Sequence, residues 1–390
     1  MITLGALAAL ALLPASAGAA KVESFELPTP LVDTSTPGGK LSGGRTVPKV
    51  NVLLPDGYRK NSKRRWPVLW LLHGANGGAN TWLGRHNNIE RLAAGLPAIV
   101  VMPDGGMFGM YTDWLNGGKR GDPAWATFHL QQVREEIERR YPIRKKRRWH
   151  AIGGISMGGQ GTLRYAALLP GYFGTAVALS AATPDIQSPV TQLGVAILPL
   201  ASGTAVNYRA IWGPANGPYA EGNSPMALAP NFEHSRVYLS SGNGVNCPGD
   251  PPTGTYAVDI ITEAGLHSIQ APFAAKIRAE GAEVTDVSTC GVHTFGVWDR
   301  AFPAAREWGF FRKVPANPRS WTYRTIAQTG EMWGLRFHFA RPPGQVAEFA
   351  RRGRVLSGTG TGTVRIRGPK RCNFTTSLPF GRRVARACWR

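Results

Sequence analysis

The sequence predicts an α/β fold in which helices cover both faces of a largely parallel sheet, because two kinds of segment alternate along it. Short apolar runs rich in valine, isoleucine and leucine are typical of strands that are buried on both faces. Segments with apolar residues at helical spacing separate these runs. The chain has 390 residues, of which 43% are apolar and 18% charged, so it can bury a large core and is not expected to be disordered.

Seven predicted strands and two clear helices follow one another along the chain. The first six strands lie at 50–54, 68–73, 98–102, 149–154, 175–180 and 237–241. The helix at 125–141 has apolar residues near helical spacing and charged residues on its other face. A second helix at 267–280 leads into 283–289, the strand that is expected to close the sheet.

The last part of the chain has a different pattern. Aromatic, glycine-rich and arginine-rich segments, such as 335–339 and 363–367, alternate there at the period of a strand. Residues 311–390 contain 17 lysines and arginines against two acids, a net charge of +15 out of +21 for the whole chain. We therefore predict an α/β domain over 21–314 and a small basic β module over 315–390, joined through the proline-containing linker 315–318.

The charge of the predicted module has two interpretations. The arginines of residues 316–390 form either a solvated face or a surface that attaches the protein to anionic wall polymers or lipid head groups of the cell envelope. Nucleic acid is not expected as a partner, because the standard RNA- and DNA-binding signatures are missing from the sequence. Two other basic clusters, at 59–65 and 144–148, are interpreted as loop charges that precede strands.

Residues 1–20 are predicted to be a secretory signal peptide, since an apolar stretch at 2–13 is followed by small residues. Cleavage is expected after Ala17 or Ala20. An uncleaved anchor is the alternative, because no lysine or arginine precedes Lys21. Past residue 20, no apolar run reaches the roughly 18–20 residues that span a bilayer. The protein is therefore expected to be secreted or associated with the cell envelope.

Four cysteines suit an exported protein in which disulfides clip loops together. Three connectivities exist. Pairing Cys247 with Cys290 and Cys372 with Cys388 keeps each bridge within one predicted domain. Zinc is the poorer interpretation, because the sequence has no CxxC or HxxxH spacing. No metal and no organic cofactor is expected.

A candidate nucleophile lies in residues 154–158, Gly-Ile-Ser-Met-Gly, which follow a predicted strand and open a predicted helix. This context is typical of a nucleophile elbow, whose serine occupies a strained turn at the edge of a sheet. Glycines are needed on both sides, since a Cβ at either position would collide with the crossing backbone. Ser156 is therefore the predicted nucleophile.

An oxyanion hole is predicted from two backbone N–H groups, which would stabilise the negative oxygen that forms when a carbonyl is attacked. One belongs to Met157, directly after the predicted nucleophile. The other belongs to Ala75, in the glycine-rich loop that follows the strand at 68–73. His73, at the end of that strand, is interpreted as a structural histidine.

The general base is expected on a loop after the last strand, and His293 occupies that place. The other seven histidines lie before the sheet closes or in the basic tail. Two acids remain open as partners of this histidine. Asp250 follows the strand at 237–241, whereas Glu263 is expected to begin the next helix, and the composition alone does not decide between them.

Further motifs accompany these residues in a fixed order. They are Met-Pro-Asp-Gly-Gly at 102–106, Tyr-Thr-Asp-Trp at 111–114, Ile-Trp-Gly-Pro at 211–214, Asn-Ser-Pro-Met at 223–226, Val-Tyr at 237–238 and Gly-Asn-Gly at 242–244. Together with the elbow, they make residues 45–310 resemble the secreted antigen 85 mycolyltransferases and their esterase D-like relatives. The resemblance does not cover the tail.

This resemblance implies an α/β-hydrolase fold with Ser156 as nucleophile, His293 as base and the N–H groups of Ala75 and Met157 as the oxyanion hole. It also favours one of the two acids. In that family the acid is a glutamate about thirty residues before the histidine, at the opening of a helix, and Glu263 matches this position.

Two departures from the family bear on the expected reaction. His-Gly-Ala-Asn at 73–76 replaces the Asp-Gly-Leu-Arg type of loop that helps to hold trehalose, and Phe295 stands where the mycolyltransferases have tryptophan. We therefore expect a Ser-His-Glu esterase that acts on carboxylic esters or acyl lipids through an acyl-enzyme. The alternatives are acyl transfer to a sugar alcohol, and a non-catalytic protein that binds the cell envelope.

Overall fold

The computed structural model describes residues 21–182, 184–197, 206–250, 256–369 and 372–389. The signal peptide predicted at 1–20 lies outside these residues. The strands of the first sheet are β1 (Lys21–Glu26), β2 (Lys49–Leu54), β3 (Val68–Leu72), β4 (Ile99–Pro103), β5 (His150–Ile155), β6 (Thr175–Leu179), β7 (Arg236–Gly242) and β8 (Glu283–Thr289). The helices are α1 (Ile89–Leu92), α2 (Trp125–Thr127), α3 (Arg134–Arg140), α4 (Met157–Leu168), α5 (Pro189–Ile197), α6 (Tyr208–Trp212), α7 (Pro218–Glu221), α8 (Tyr256–Ala279) and α9 (Phe295–Trp308).

The eight strands form one sheet in the order β1-β2-β4-β3-β5-β6-β7-β8. Strands β3 to β8 are parallel to one another, whereas β2 pairs antiparallel with both β1 and β4 at one edge. The predicted α/β fold with a largely parallel sheet is confirmed. Strand β1 is missing from the predicted elements because its sequence, Lys-Val-Glu-Ser-Phe-Glu, carries three charges and lies at the sheet edge.

Apolar side chains on the two faces of the sheet form two cores. On one face, Leu163 and Tyr165 of α4 pack against the sheet. On the other face, Val297 and Phe302 of α9 do so. Helices therefore cover both faces, as predicted. Within the described ranges, no helix combines the length and the apolar character that crossing a membrane requires.

Two helices differ from their predicted bounds. The helix predicted at 125–141 consists of α2, a π-helical turn at Phe128–Val133 and α3. Helix α8 begins at Tyr256 rather than at 267, so Glu263 lies within the helix instead of opening it. The start of α8 is not evident from the sequence, because apolar side chains such as Val258 and Ile261 lie on its exposed side and break the amphipathic pattern.

After α9 the chain forms a β sandwich of two four-stranded antiparallel sheets. Its strands are β9 (Ser320–Thr325), β10 (Thr329–Met332), β11 (Leu335–Phe339), β12 (Ala347–Arg352), β13 (Val355–Thr359), β14 (Thr363–Arg367), β15 (Asn373–Ser377) and β16 (Phe380–Arg383). Alternate residues, such as Leu335, Phe337 and Phe339, point into a separate core between the sheets. The division into two domains at residue 315 stays a prediction.

Both predicted cysteine pairs form disulfides. Cys247 and Cys290 connect the loop after β7 with the residue after β8, with their Cα atoms 5.1 Å apart. Cys372 and Cys388 connect the start of β15 with the last turn of the sandwich, at 5.2 Å. The first disulfide thus joins segments of the α/β part, and the second joins segments of the sandwich.

Strand β9 docks the sandwich onto the α/β part. The Arg324 N–H donates to Asn231 Oδ1 at 2.7 Å, and Asn231 Nδ2 donates to the Arg324 carbonyl at 2.9 Å. Arg147 is buried and donates to five oxygen acceptors, including the Pro315 carbonyl at 2.9 Å. Burial lowers the pKa of Arg147 to about 9, and these acceptors keep its guanidinium protonated at neutral pH. The sandwich is therefore fixed to the α/β part by buried polar contacts.

Two buried histidines are expected to make the protein less stable in mild acid. Burial lowers the pKa of both His129 and His150 to about 4, from an ordinary value of 6.5. The His129 Nε2–H donates to the Asp104 carbonyl at 2.6 Å, which fixes the neutral tautomer. Between pH 6.5 and 4 the unfolded chain binds protons at these positions and the folded chain does not, so stability falls as the pH falls.

Each of these histidines is expected to remove up to about 1.4 kcal/mol from the free energy of unfolding for each pH unit in that window. Urea unfolding at pH 7, 6, 5 and 4.5 measures the slope. His150→Gln keeps a hydrogen-bonding group but cannot titrate, so its slope should be smaller than that of the wild type. Equal slopes would show that His150 is not the group responsible.

Candidate active site

The predicted nucleophile lies in a tight turn between β5 and α4. Ser156 has φ 53° and ψ −120°, a strained conformation for a residue other than glycine. A Cβ on Gly154 or Gly158 would come closer than 3.0 Å to backbone oxygens of the elbow and of β3. The two glycines therefore allow the crossing of strand, turn and helix that exposes this serine at the sheet edge.

His293 lies next to this serine although 137 residues separate them in the sequence. Its Nε2 is 2.8 Å from the Ser156 Oγ. The loop after β8 carries His293, and the backbone N–H of His293 donates to the Asp259 carbonyl at 3.1 Å. The ring also meets Trp298 edge-on, with centroids 5.2 Å apart. The histidine is thus held from its backbone and from its ring.

Glu263 lies on the other side of the histidine and is fully buried. Its Oε2 is 2.6 Å from His293 Nδ1. Because a carboxylate only accepts hydrogen bonds, Nδ1 donates to Glu263 and leaves the Nε2 lone pair facing the Ser156 hydroxyl. The three side chains therefore form one chain of hydrogen bonds in the order that general-base activation of a serine requires.

Two residues that the sequence did not indicate as site residues, Ser180 and Gly242, hold this glutamate. Ser180 Oγ donates to Glu263 Oε1 at 2.7 Å, and the Gly242 N–H donates to the same oxygen at 2.5 Å. Trp298 Nε1 in turn donates to Ser180 Oγ at 3.0 Å. Ser180 directly follows β6 at the same sheet edge as the elbow and has φ 45°, a positive value that nothing in its sequence context indicates.

Asp250, the other candidate acid, has a different partner. Its two carboxylate oxygens accept hydrogen bonds from Arg300 at 2.7 and 3.0 Å. Its backbone N–H donates to the Cys247 carbonyl at 3.1 Å. Asp250 therefore belongs to an exposed ion pair beside the disulfide, and the structure brings Glu263 rather than Asp250 to the histidine.

The glycine-rich loop after β3 approaches the serine closely. A Cβ built on Gly74 would stand 3.4 Å from the Ser156 Cβ, so the neighbouring Ala75 borders the elbow. Met157 is the first residue of the 12-residue helix α4, where N–H groups have no partner within the helix. Ala75 lies in a loop, and its N–H donates to no backbone carbonyl among the described residues. The two residues predicted to donate, Ala75 and Met157, thus directly follow Gly74 and Ser156 in the chain.

His73 bonds the backbone on both sides of its ring and does not contact the Ser156 hydroxyl. Its Nε2 accepts from the Gly105 N–H at 2.8 Å, so its Nδ1 carries the proton and donates to the Gly74 carbonyl at 2.8 Å. Burial lowers the pKa of His73. A neutral, buried imidazole with both nitrogens bonded to backbone agrees with the structural role predicted for it.

A cavity of about 560 Å³ lies between the α/β part and the sandwich rather than at the serine. Arg164 and Tyr219 line one side, and Tyr323 and Phe337 line the other. Arg164 lies eight residues beyond Ser156 on α4, which corresponds to about 12 Å along the helix axis. The cavity is therefore separate from the Ser-His-Glu arrangement.

Comparison with known proteins agrees with this geometry. A family model described as "Putative esterase" matches residues 45–308. The chain belongs to this esterase family. Esterase Rv1288 of Mycobacterium tuberculosis is 31% identical to it over 253 residues, 64% of this chain and 53% of the relative. The chain thus spans about half the length of that curated relative.

A second curated relative is the diacylglycerol acyltransferase/mycolyltransferase Ag85B of Mycobacterium leprae. It is 29% identical over 252 residues, 60% of this chain and 72% of the relative. The resemblance to the antigen 85 proteins that the motifs indicate is therefore confirmed. The family match ends at residue 308, so it does not include the sandwich.

Solved structures show the same α/β-hydrolase fold. Mycobacterium tuberculosis MPT51 (FbpC1) superposes with a TM-score of 0.56 at 21% identity, covering 75% of this chain and 100% of that one. The S-formylglutathione hydrolase FrmB of Staphylococcus aureus superposes with a TM-score of 0.52 at 20% identity, covering 74% and 98%. The esterase D-like side of the resemblance is thus confirmed at the level of the fold.

Proposed function

We propose that the protein is a serine esterase that cleaves carboxylic esters through an acyl-enzyme on Ser156. The observation that carries this proposal is the continuous chain of hydrogen bonds from Ser156 through His293 to the buried Glu263. Membership of the esterase family supports the same class of reaction. We assign the nucleophile to Ser156, the general base to His293 and the orienting acid to Glu263.

The proposed reaction has two steps. In the first, His293 Nε2 takes the hydroxyl proton while Ser156 Oγ attacks the ester carbonyl, and Glu263 stabilises the charged imidazole. The N–H groups of Ala75 and Met157 stabilise the oxyanion, and His293 then returns the proton to the leaving alcohol. In the second step, water attacks the acyl-enzyme by the same route and releases the acid. Apart from the ester and water, these steps use only groups of the chain itself.

An apolar rim near the histidine supports an ester with an apolar acyl group as the substrate. The rim consists of Val245 and Phe295, which are exposed by 62% and 38%. Phe295 packs against Trp298, which contacts His293, and the Val245 carbonyl accepts from the N–H of Gly291, two residues before the histidine. Burying such side chains against an acyl chain is favourable at about 25 cal/mol per Å².

Hydrolysis is preferred over transfer because of the loop that borders the elbow. The loop has the sequence His-Gly-Ala-Asn at 73–76 and offers no arginine to a sugar acceptor. Acyl transfer to a sugar alcohol is the second candidate reaction, and the match to Ag85B favours it. Hydrolysis of p-nitrophenyl esters of increasing acyl length, with and without trehalose, separates the two reactions by their products.

A fluorophosphonate probe tests the assignment of the nucleophile. The probe phosphonylates a serine only when a neighbouring base activates it, so the wild type should label and the label should map to Ser156. Ser268→Ala is the matched control, since it removes an exposed serine hydroxyl on α8 that bonds only the Gly265 carbonyl, and it should still label. A folded wild type that does not label would overturn the proposal.

The sandwich is proposed to attach the protein to an anionic surface of the cell envelope. Arg336 on β11 stands directly opposite Arg367 on β14, and His338 stands opposite Arg365. All four are on the exposed face of their sheet. Arg336 and Arg367 carry like charges at opposed positions and repel one another, and an anion bound across the strands would offset that repulsion. This arrangement favours an anion-binding face over evenly solvated charges.

Retention on envelope material tests this second proposal. Arg336→Gln/Arg365→Gln/Arg367→Gln should release the protein at a lower salt concentration than the wild type does. The control Lys40→Gln/Lys119→Gln/Lys276→Gln loses the same charge from exposed positions elsewhere. Point variants are preferable to deletion of residues 316–390, because deletion removes Arg324 and leaves its buried partner Asn231 without those hydrogen bonds. Equal release of both variants would remove the role assigned to this face.

Export and the two-domain division complete the proposal. Two disulfides among the described residues fit an oxidising compartment, and we propose that the protein is secreted or associated with the cell envelope. We assign residues 21–314 to the catalytic domain and residues 315–390 to the accessory module. Mass spectrometry of the exported protein should find an N-terminus after Ala17 or Ala20.

A further inference from the structure

Two basic loops that lie far apart in the sequence meet at one edge of the central sheet. Residues 59–65 precede β3, and residues 144–148 precede β5. The Trp66 N–H donates to the Pro142 carbonyl at 2.8 Å, and the Arg144 N–H donates to the Trp66 carbonyl at 2.9 Å. Arg144 Nε also donates to the Arg65 carbonyl at 3.0 Å. The backbone itself therefore joins the two clusters into one surface.

The joined surface is strongly positive and is called the basic pole below. It consists of Arg59, Lys60, Lys63, Arg64, Arg65, Arg144, Lys145, Lys146 and Arg148. Seven of these side chains are exposed and two are half-buried. Within the described residues, no carboxylate lies within 4.0 Å of any of the nine charged groups. None of the nine charges is therefore paired in a salt bridge, and they repel one another.

Aromatic rings fix some of these charges in position. The Arg64 guanidinium lies 3.6 Å from the centroid of the Trp66 ring. The Arg144 and Arg148 guanidinium groups both lie 4.2 Å from the Trp149 ring. Stacking on a ring leaves the N–H donors of arginine free at their edges, and it lowers the entropy lost when an anion binds. These three arginines of the pole are therefore preorganised.

The basic pole and Ser156 lie at opposite ends of the same strands. β3 and β5 are parallel, with Val68 opposite His150 and Leu72 opposite Gly154. Both basic loops enter the sheet at the first of these pairs, whereas the elbow leaves it after the last. At about 3.3 Å per residue, the length of β5 separates the two ends by about 17 Å.

We propose that the basic pole is a second binding surface, whose partner is a flexible linear polyanion with phosphate or carboxylate groups repeated along its chain. Arginine N–H groups pair with either kind of oxyanion, and lysines on both loops add charge without demanding one geometry. A linear polymer can bind at this pole while Ser156, at the opposite end of the strands, stays open to ester substrates. A flat anionic bilayer bound here would instead turn the serine away from any ester within that bilayer.

Binding to a defined polymer tests the proposal. Long-chain polyphosphate and polygalacturonate are titrated against the full chain and against Lys63→Gln/Lys145→Gln/Lys146→Gln. We expect this variant to bind about 100-fold more weakly at low salt, and its dependence of log Kd on log salt to be shallower by about 2 to 3. Lys40→Gln/Lys119→Gln/Lys276→Gln has the same net charge and should bind like the wild type.

Three outcomes would overturn the proposal. The first is equal weakening of both variants, which would mean that net charge alone drives binding. The second is wild-type affinity in the pole variant. The third is tight binding of the pole to anionic phospholipid vesicles but not to either polymer, which would make a bilayer the partner. Ester hydrolysis is measured in parallel and should not change, so a failure here is distinct from a failure of the esterase assignment.

Discussion

Ser156→Ala is expected to lower kcat for ester hydrolysis by about 10⁴- to 10⁶-fold. The variant keeps His293, Glu263 and the proposed oxyanion donors, but it has no hydroxyl oxygen at position 156 to form the acyl-enzyme. Since Ser156 Oγ bonds only His293 among the described residues, the fold should tolerate its loss. Steady-state hydrolysis of p-nitrophenyl acetate or butyrate measures the effect, and circular dichroism checks that the variant is folded.

The residual rate of this variant is informative too. Activity that remains at about 10³-fold above the uncatalysed reaction would come from the oxyanion donors and from substrate binding. KM should change little, because the hydroxyl contributes to bond formation rather than to holding the acyl group. A folded variant with at least a tenth of the wild-type kcat would contradict the assignment of Ser156 as nucleophile.

Glu263→Gln is expected to lower kcat by about 10⁴-fold with little change in KM. The amide oxygen of glutamine can still accept from Ser180 and from the Gly242 N–H. The amide nitrogen then faces His293 Nδ1 and, as a donor, favours the tautomer with its proton on Nε2. In that tautomer the imidazole presents a proton to Ser156 instead of a lone pair. The measurement is kcat for p-nitrophenyl butyrate across pH 6 to 9.

Asp250→Asn is the matched control for this experiment. Both variants replace one carboxylate by its amide, but Asp250 pairs with Arg300 and does not contact the histidine. Its kcat should therefore stay within about twofold of the wild type, as is usual for an exposed ion pair. If Asp250→Asn were the more damaging substitution, Glu263 would lose the role of orienting acid.

The parts of the site that follow local rules could be predicted from the sequence. The elbow is such a case, because two glycines around a serine, between a strand and a helix, indicate a tight turn by themselves. His293 follows from the order of elements, since it comes after the last strand. The choice of Glu263 over Asp250 needed the family resemblance, because each residue follows or enters a regular element at a suitable place.

The parts that depend on distant pairing could not be predicted. Ser180 bonds Glu263, and Trp298 bonds Ser180, only because β6, α8 and α9 pack together, and no local pattern of Ser180 or Trp298 indicates this. The basic pole is a similar case, since its two halves join through contacts of Trp66 that span about 80 residues. The docking of β9 depends on side chains from both parts of the chain. Local propensity carries no information on such contacts.

The bond between Cys247 and Cys290 has a consequence for where the protein can work. Cys290 lies three residues before His293, so this crosslink ties the segment with the base to the loop after β7, whereas the segment with Ser156 contains no cysteine. We therefore expect a reductant to free the segment that carries His293 and to leave the segment that carries Ser156 unchanged. Newly made chains with free thiols would hold His293 less firmly, so we expect full esterase activity only after this disulfide has formed.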